Sequence, residues 1–82
     1  MSGLPRYDYE KLADRIEADI RSGRLPVGAR LPGEREMTDI YQVSIGTARR
    51  AVRELRDRGL VATLAAKGTY VIEPPPADTA GS

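Results

Sequence analysis

The sequence contains no Cys, His, Trp or Phe. Without cysteine there is no disulfide framework, no thiolate metal site and no zinc finger. Without histidine, the usual neutral-pH general base and the commonest metal ligand are both missing. Apolar runs last only a few residues, far short of the ~20 that span a membrane as a helix. No apolar signal-peptide core stands near the N-terminus either. Charge of one sign is scarce too: 13 Lys+Arg face 12 Asp+Glu, a net of +1 over 82 residues. A chain this short fits one domain and removes only about 60–65% of its unfolded surface from water. That supports a small bundle or a helix-plus-hairpin module, not a deep catalytic cavity. The expectation is a cytoplasmic binding module without metal or cofactor.

The near-neutral total argues at first against a nucleic-acid partner, but it hides a gradient. Residues 1–42 carry seven basic and eight acidic side chains. Residues 43–72 carry Arg49, Arg50, Arg53, Arg56, Arg58 and Lys67 against Glu54 and Asp57, a net of +4. Residues 73–82 add only the acids Glu73 and Asp78. A local positive patch, more than the total, is what attracts phosphate. Any arginine-bearing helix also has a solvated face, so charge by itself leaves both readings open.

Residues 1–8 contain Gly3 and Pro5 and read as a flexible arm, with Asp8 placed as the cap of a first helix. From Tyr9 to Ser22, apolar residues recur at Tyr9, Leu12, Ala13, Ile16 and Ile20, spacings of three and four that mark an amphipathic helix. Gly23 stops it. Leu25-Pro26-Val27-Gly28 is a turn-rich connection, and Ala29-Arg30-Leu31 a short extended segment before Pro32. A second helix is expected over 34–41, with Gly33 as its cap, Glu34 and Glu36 in its first turn, and Met37, Ile40 and Tyr41 inward. Gln42 and Val43 make a tight turn. Ser44 then caps a third helix reaching about Arg58, with Ala48, Ala51, Val52 and Leu55 inward and Gly59 ending it. Two helices joined this closely form a helix-turn-helix.

After Gly59 the period changes. Residues 60–64 and 69–72 are β-compatible runs separated by Ala65-Ala66-Lys67-Gly68, a hairpin with Gly68 placed in its turn. Pro74-Pro75-Pro76 ends it, and residues 74–82 read as a Pro-rich disordered tail or linker remnant. The expected fold is mainly α with a small β-hairpin: a winged helix-turn-helix over residues 9–73.

The third helix carries the functional signal. Burying its apolar face turns Ile45, Gly46, Arg49, Arg50 and Arg53 outward. Its first half is small or basic, with no acid before Glu54. A helix fits the major groove of B-DNA, where Arg pairs bidentately with guanine and Thr or an apolar group meets base edges. The helix start, at Ser44 and Thr47, offers free N–H groups to phosphate. Gly46 lets the backbone approach closely, at some cost in helix propensity. Arg35 opens the second helix, where a helix-turn-helix meets the phosphate backbone, although Glu36 or Asp39 could pair with it instead. Lys67 and Gly68 sit at the hairpin tip, a weak signal taken singly.

Three blocks resemble the GntR family of bacterial transcription regulators. Residues Gly28 to Met37, GARLPGEREM, are similar to that family's "G-x-x-L-P-S-E-R-E-L" stretch. Residues Val43 to Leu55, VSIGTARRAVREL, are similar to its "V-S-R-x-T-V-R-x-A-L-x-x-L" helix. Gly59-Leu60-Val61 followed by Lys67-Gly68-Thr69-Tyr70-Val71 resembles its wing. The blocks occur in order at family spacing and cover about residues 8–72. The resemblance implies a sequence-specific regulator, expected to be a repressor, on double-stranded operator DNA, usually as a homodimer on a palindrome. It implies DNA contacts at Arg35, Thr47, Arg49, Lys67 and Gly68.

Ile45 stands where the family has an arginine after Val-Ser. Leu64 and Ala66 replace the wing's arginine and first glycine, and Gly33 the cap serine. Two positive charges are thereby lost, which shifts binding toward Arg50 or Arg53. Family members usually continue into a large effector and dimerisation domain. The chain is thus expected to be either a minimal regulator or an N-terminal part of a longer one, with no metabolite pocket of its own. The rival reading is a winged helix used for protein contact, favoured by the more apolar Ile45 and Leu64. An acid/base set of Glu34, Glu36 and Asp39 is set aside, because helix-start acids need no catalytic role.

Overall fold

The computed structural model describes residues 8–72. It contains helices α1 (Asp8–Arg21), α2 (Glu34–Tyr41) and α3 (Ile45–Asp57), followed by strands β1 (Val61–Leu64) and β2 (Gly68–Val71). The expected arm over 1–7 and the tail over 73–82 lie outside the described residues. Asp8, expected to cap α1, is instead its first helical residue, where its charge still suits the positive helix end.

The inner faces follow from spacing. In α1, Leu12, Ala13, Ile16 and Ile20 are buried, and in α3 Ala48, Ala51, Val52 and Leu55. Met37 from α2, Leu31, Leu60, Val61 and Val71 complete the core, whose described members include no buried polar or charged side chain. Burying each such Leu, Ile or Met side chain contributes about 1.5–3 kcal/mol, so the three helices and the wing base stabilise one another. The second helix departs from expectation at one position: Ile40 is 57% exposed. Glu34, Met37, Thr38 and Tyr41 form the buried and half-buried i, i+3, i+4, i+7 stripe of α2. Ile40 lies outside this stripe, on the side of α2 that stays open to solvent.

Capping fixes where the helices start and stop. The Ser44 hydroxyl accepts from the Thr47 N–H at 3.1 Å and begins α3. The turn before it closes through Gln42 in a left-handed conformation, with φ 57°. At α2 the cap is half of a capping box: the Glu36 carboxylate accepts from the Gly33 N–H at 2.9 Å. Gly33 has no side chain to return the bond.

The wing is an antiparallel pair with Val61 opposite Val71 and Leu64 opposite Gly68. Its turn is therefore Ala65-Ala66-Lys67, and Gly68 belongs to the strand, not to the turn as expected. Ala66 takes the left-handed conformation with φ 63°. Gly68 has φ 119°, a conformation that calls for glycine, and its missing Cβ leaves room for the Arg30 guanidinium, whose Nε would lie 2.7 Å from it. The extended segment before Pro32 lines the free edge of β2. Leu31 N–H donates to the Thr69 carbonyl and Val71 N–H to the Ala29 carbonyl, both at 2.8 Å. That pairing ties the connection between α1 and α2 to the wing.

Candidate nucleic-acid interface

On α3 the buried residues leave Gly46 near the centre of the outward arc, with Arg50 and Arg53 at about equal angles on either side of it. Arg49 lies farther round toward the α2 side, and all four are exposed. Ser44 and Ile45, at the helix start, are exposed as well, and Thr47 is half-buried. The expected residues of the third helix are thus brought to one surface.

The arginines of that surface differ in what holds them. Arg49 donates through Nε and an Nη to one Glu34 oxygen, at 3.2 and 3.1 Å, which joins α3 to the start of α2. Arg50 stacks over the Tyr9 ring, its Cζ 4.4 Å from the centroid, a cation–π contact to the start of α1. Arg53 has no hydrogen bond, ion pair or ring contact among the described residues. Arg35 and Lys67 likewise keep their charged side chains exposed without a partner there, so Arg35 pairs with neither Glu36 nor Asp39.

The wing tip is held by its backbone. The Lys67 carbonyl accepts from Arg30 Nε at 3.2 Å and from the Tyr70 hydroxyl at 3.1 Å. These bonds leave the Lys67 ammonium at the apex. Two basic residues not among the expected contacts, Arg30 and Arg56, flank the junction of α2, α3 and wing. The Arg56 guanidinium donates to the Thr63 hydroxyl at 2.8 Å. With Pro32, Gly33 and Glu34 they line a cleft of about 220 Å³. Small-molecule sites are commonly larger, at ~300–1,000 Å³. Arg56 was legible in principle, because it follows Arg49 by two turns on the same edge of α3. Arg30 was not, since its neighbour across the sheet, Tyr70, is decided by pairing between distant segments.

One member of the basic segment does not belong to this surface. Arg58 faces α1, where an Nη lies 2.9 Å from Asp14 and 2.7 Å from Glu17, while its Nε bonds Glu54 at 2.9 Å. Burial disfavours the charged guanidinium, but the Glu54, Glu17 and Asp14 carboxylates outweigh that and raise its pKa. Hydrogen bonds from Arg21 and Arg58 hold the Glu17 carboxyl below its ordinary range. The cluster therefore ties α1 to the end of α3 and neutralises α1 acids away from the outward face. On α2, burial and the nearby Asp19 raise the Tyr41 pKa, opposed by Arg15, whose Cζ lies 5.4 Å from the ring centroid. No group of three or more acidic, His or Cys side chains suited to a metal occurs among the described residues. No described helix is long and apolar enough to cross a membrane.

Comparison with known proteins agrees with this arrangement. The chain is 38% identical over 72 residues to the Mycobacterium gastri HTH-type transcriptional regulator RmpR, covering 85% of this chain and 26% of that one. It is 41% identical over 66 residues to the histidine utilization repressor of Klebsiella aerogenes, covering 80% of this chain and 27% of the repressor. The chain thus spans about a quarter of the length of these two relatives. Among solved structures, the AraR DNA-binding domain in complex with operator ORR3 superposes with a TM-score of 0.77. It is 27% identical, and the match covers 87% of this chain and 86% of that one. The fold is a winged helix-turn-helix, three helices plus the wing. Residues 8–71 match the model for "Bacterial regulatory proteins, gntR family", and the chain belongs to that family.

Proposed function

We propose that the chain binds double-stranded operator DNA and regulates transcription, as a repressor. In this reading residues 9–73 are the DNA-binding unit. Helix α3 enters the major groove with Ser44, Ile45, Gly46, Thr47 and its arginines against the duplex. Arg35 meets the phosphate backbone from the start of α2, and Lys67 and Gly68 lie alongside as the wing. Two copies pair on a palindromic operator.

The observation that carries this reading is convergence. The start of α2, one edge of α3 and the outer half of the wing meet at one cleft, and Arg35, Arg53 and Lys67, each next in sequence to a residue that lines it, have no partner among the described residues. Cations left unpaired are available to displace counterions from phosphate. The AraR domain and the histidine utilization repressor lend support from proteins of similar sequence. Catalysis has no support from the same surface, where Glu36 caps α2 and Glu34 pairs with Arg49.

The test compares a duplex enriched from a random pool with its scrambled counterpart at roughly 0.15 M salt, where specific sites are commonly bound at least ~10³-fold more tightly. Equal affinity for both would refute the regulatory reading. A second reading, docking on a protein, rests on Ile45 and Leu64, which are 41% and 50% exposed. It predicts no amide shift changes over 44–53 or 66–69 when a random duplex is added.

A further inference from the structure

The first turn of α3 is the part of a helix-turn-helix that meets base edges, so the chemistry of its side chains sets what it can read. That turn has little hydrogen-bonding capacity left to offer outward. The Ser44 hydroxyl is committed twice, accepting from the Thr47 N–H and donating to Thr47 Oγ1, both at 3.1 Å. Thr47 itself is half-buried, and Gly46 has no side chain. The one large side chain of the turn is Ile45, the first residue of the helix, which is exposed and stands outside the core. Arg49, one turn further on, has its guanidinium drawn to Glu34 at the start of α2 and leaves Ile45 uncovered.

Isoleucine has neither donor nor acceptor, so it recognises no guanine, adenine or cytosine edge by hydrogen bonding. Among the four bases, thymine alone carries an apolar group in the major groove, its C5-methyl. An isoleucine also reaches less far than an arginine, so the helix backbone must come close to the groove floor. Gly46 permits that approach: only the Ser44 hydroxyl, at 3.9 Å, lies near where a Cβ would stand.

Resting on the DNA-binding reading above, we propose that Ile45 makes the start of α3 a thymine reader, packed on the C5-methyl of one thymine in the half-site. The contact buries apolar surface that protein and duplex both leave in water when apart, and so favours a base that carries the methyl. No charge takes part, so this preference stays the same as salt weakens the phosphate contacts.

The experiment uses the whole 82-residue chain and a duplex that the wild-type protein enriches from a random pool. Each thymine is replaced singly by uracil, which deletes the C5-methyl and leaves every hydrogen-bonding group in place. One thymine per half-site is expected to lose about 4-fold in affinity, the worth of one buried methyl group, at every salt concentration tested. Ile45→Ala should bind the thymine and uracil forms of that position equally, with the wild-type salt slope kept. Thr47→Ser removes the neighbouring threonine methyl and should leave the uracil deficit unchanged. The uracil scan of the wild-type protein needs no variant, so it decides even where Ile45→Ala disturbs the helix.

If no thymine is sensitive to loss of its methyl, the assignment falls while DNA binding stands, and the exposed Ile45 passes to the protein-docking reading. A deficit that survives in Ile45→Ala, or that Thr47→Ser erases, puts the methyl contact elsewhere and overturns the assignment. A wild-type chain that enriches no duplex at all removes the function and the assignment together.

Discussion

Replacing Arg58 by Ala tests whether one buried-edge cation holds α1 against α3. The side chain is 23% exposed and contacts three carboxylates, Asp14, Glu17 and Glu54, at 2.7 to 2.9 Å. A hydrogen bond to a charged group contributes about 1.5–3 kcal/mol when well shielded. A solvent-exposed ion pair contributes about 0–1 kcal/mol. Asp14 is 44% exposed and stands near the weaker limit, whereas Glu17, at 25%, stands nearer the stronger one. Removing Arg58 also takes from Glu54 its partner and leaves Glu17 with Arg21. The expected cost at pH 7 is roughly 2–4 kcal/mol. A domain of this size has a total stability of about 4–12 kcal/mol. Each kcal/mol corresponds to a fall in Tm of ~4–8 °C, so the melting shift should be large.

Urea unfolding followed by circular dichroism at pH 7 and at pH 3 provides the measurement. The sign is fixed by Glu17, whose carboxyl is held below its ordinary value of 4.5 by hydrogen bonds from Arg21 and Arg58. Stability from such a group is fully present above that value and is lost as pH falls through the lower, folded-state pKa. The gap between wild type and Arg58→Ala should therefore narrow on acidification. A gap below about 0.5 kcal/mol at pH 7, or one equally wide at pH 3, would refute the reasoning.

Two further perturbations probe local structure. Ser44→Ala removes the acceptor for the Thr47 N–H and should cost ~1 kcal/mol by urea unfolding, with binding to the enriched duplex weakened as the start of α3 frays. Ala66→Gly relieves a left-handed residue with φ 63° and should raise Tm, by about 0.5–1 kcal/mol of stability, because the strain relieved exceeds the added unfolded-state entropy. A fall in Tm would mean that the wing turn is not strained at Ala66.

Much of the scaffold was legible because it depends on spacing within a segment. Leu12, Ala13, Ile16 and Ile20 in α1, and Ala48, Ala51, Val52 and Leu55 in α3, recur at helical intervals, and each is buried. Ser44 could be assigned as a cap from its own position, since the bond it makes is three residues long. Ile40 misled because apolarity was read as burial, while a two-turn helix covers only one stripe. Gly68 misled by a register of one residue, which depends on which strands pair and not on the turn composition.

The order of helices and wing, the outward basic face of α3 and the concentration of positive charge after Val43 could all be read from the residues in line. Those properties follow from periodicity, caps and residue type, all of which act within a few positions. What each charge does depends on contacts between elements far apart in the chain. Arg58 meets Asp14 and Glu17 across more than forty residues, Arg50 meets Tyr9, Arg49 meets Glu34, and Arg30 closes over Gly68. A long side chain takes the rotamer that its neighbours favour, and those neighbours exist only once the elements have packed. The same packing leaves Arg53 without a partner among the described residues, so the near-neutral total of +1 resolves into arginines that tie the fold together and cations that the described residues leave unpaired.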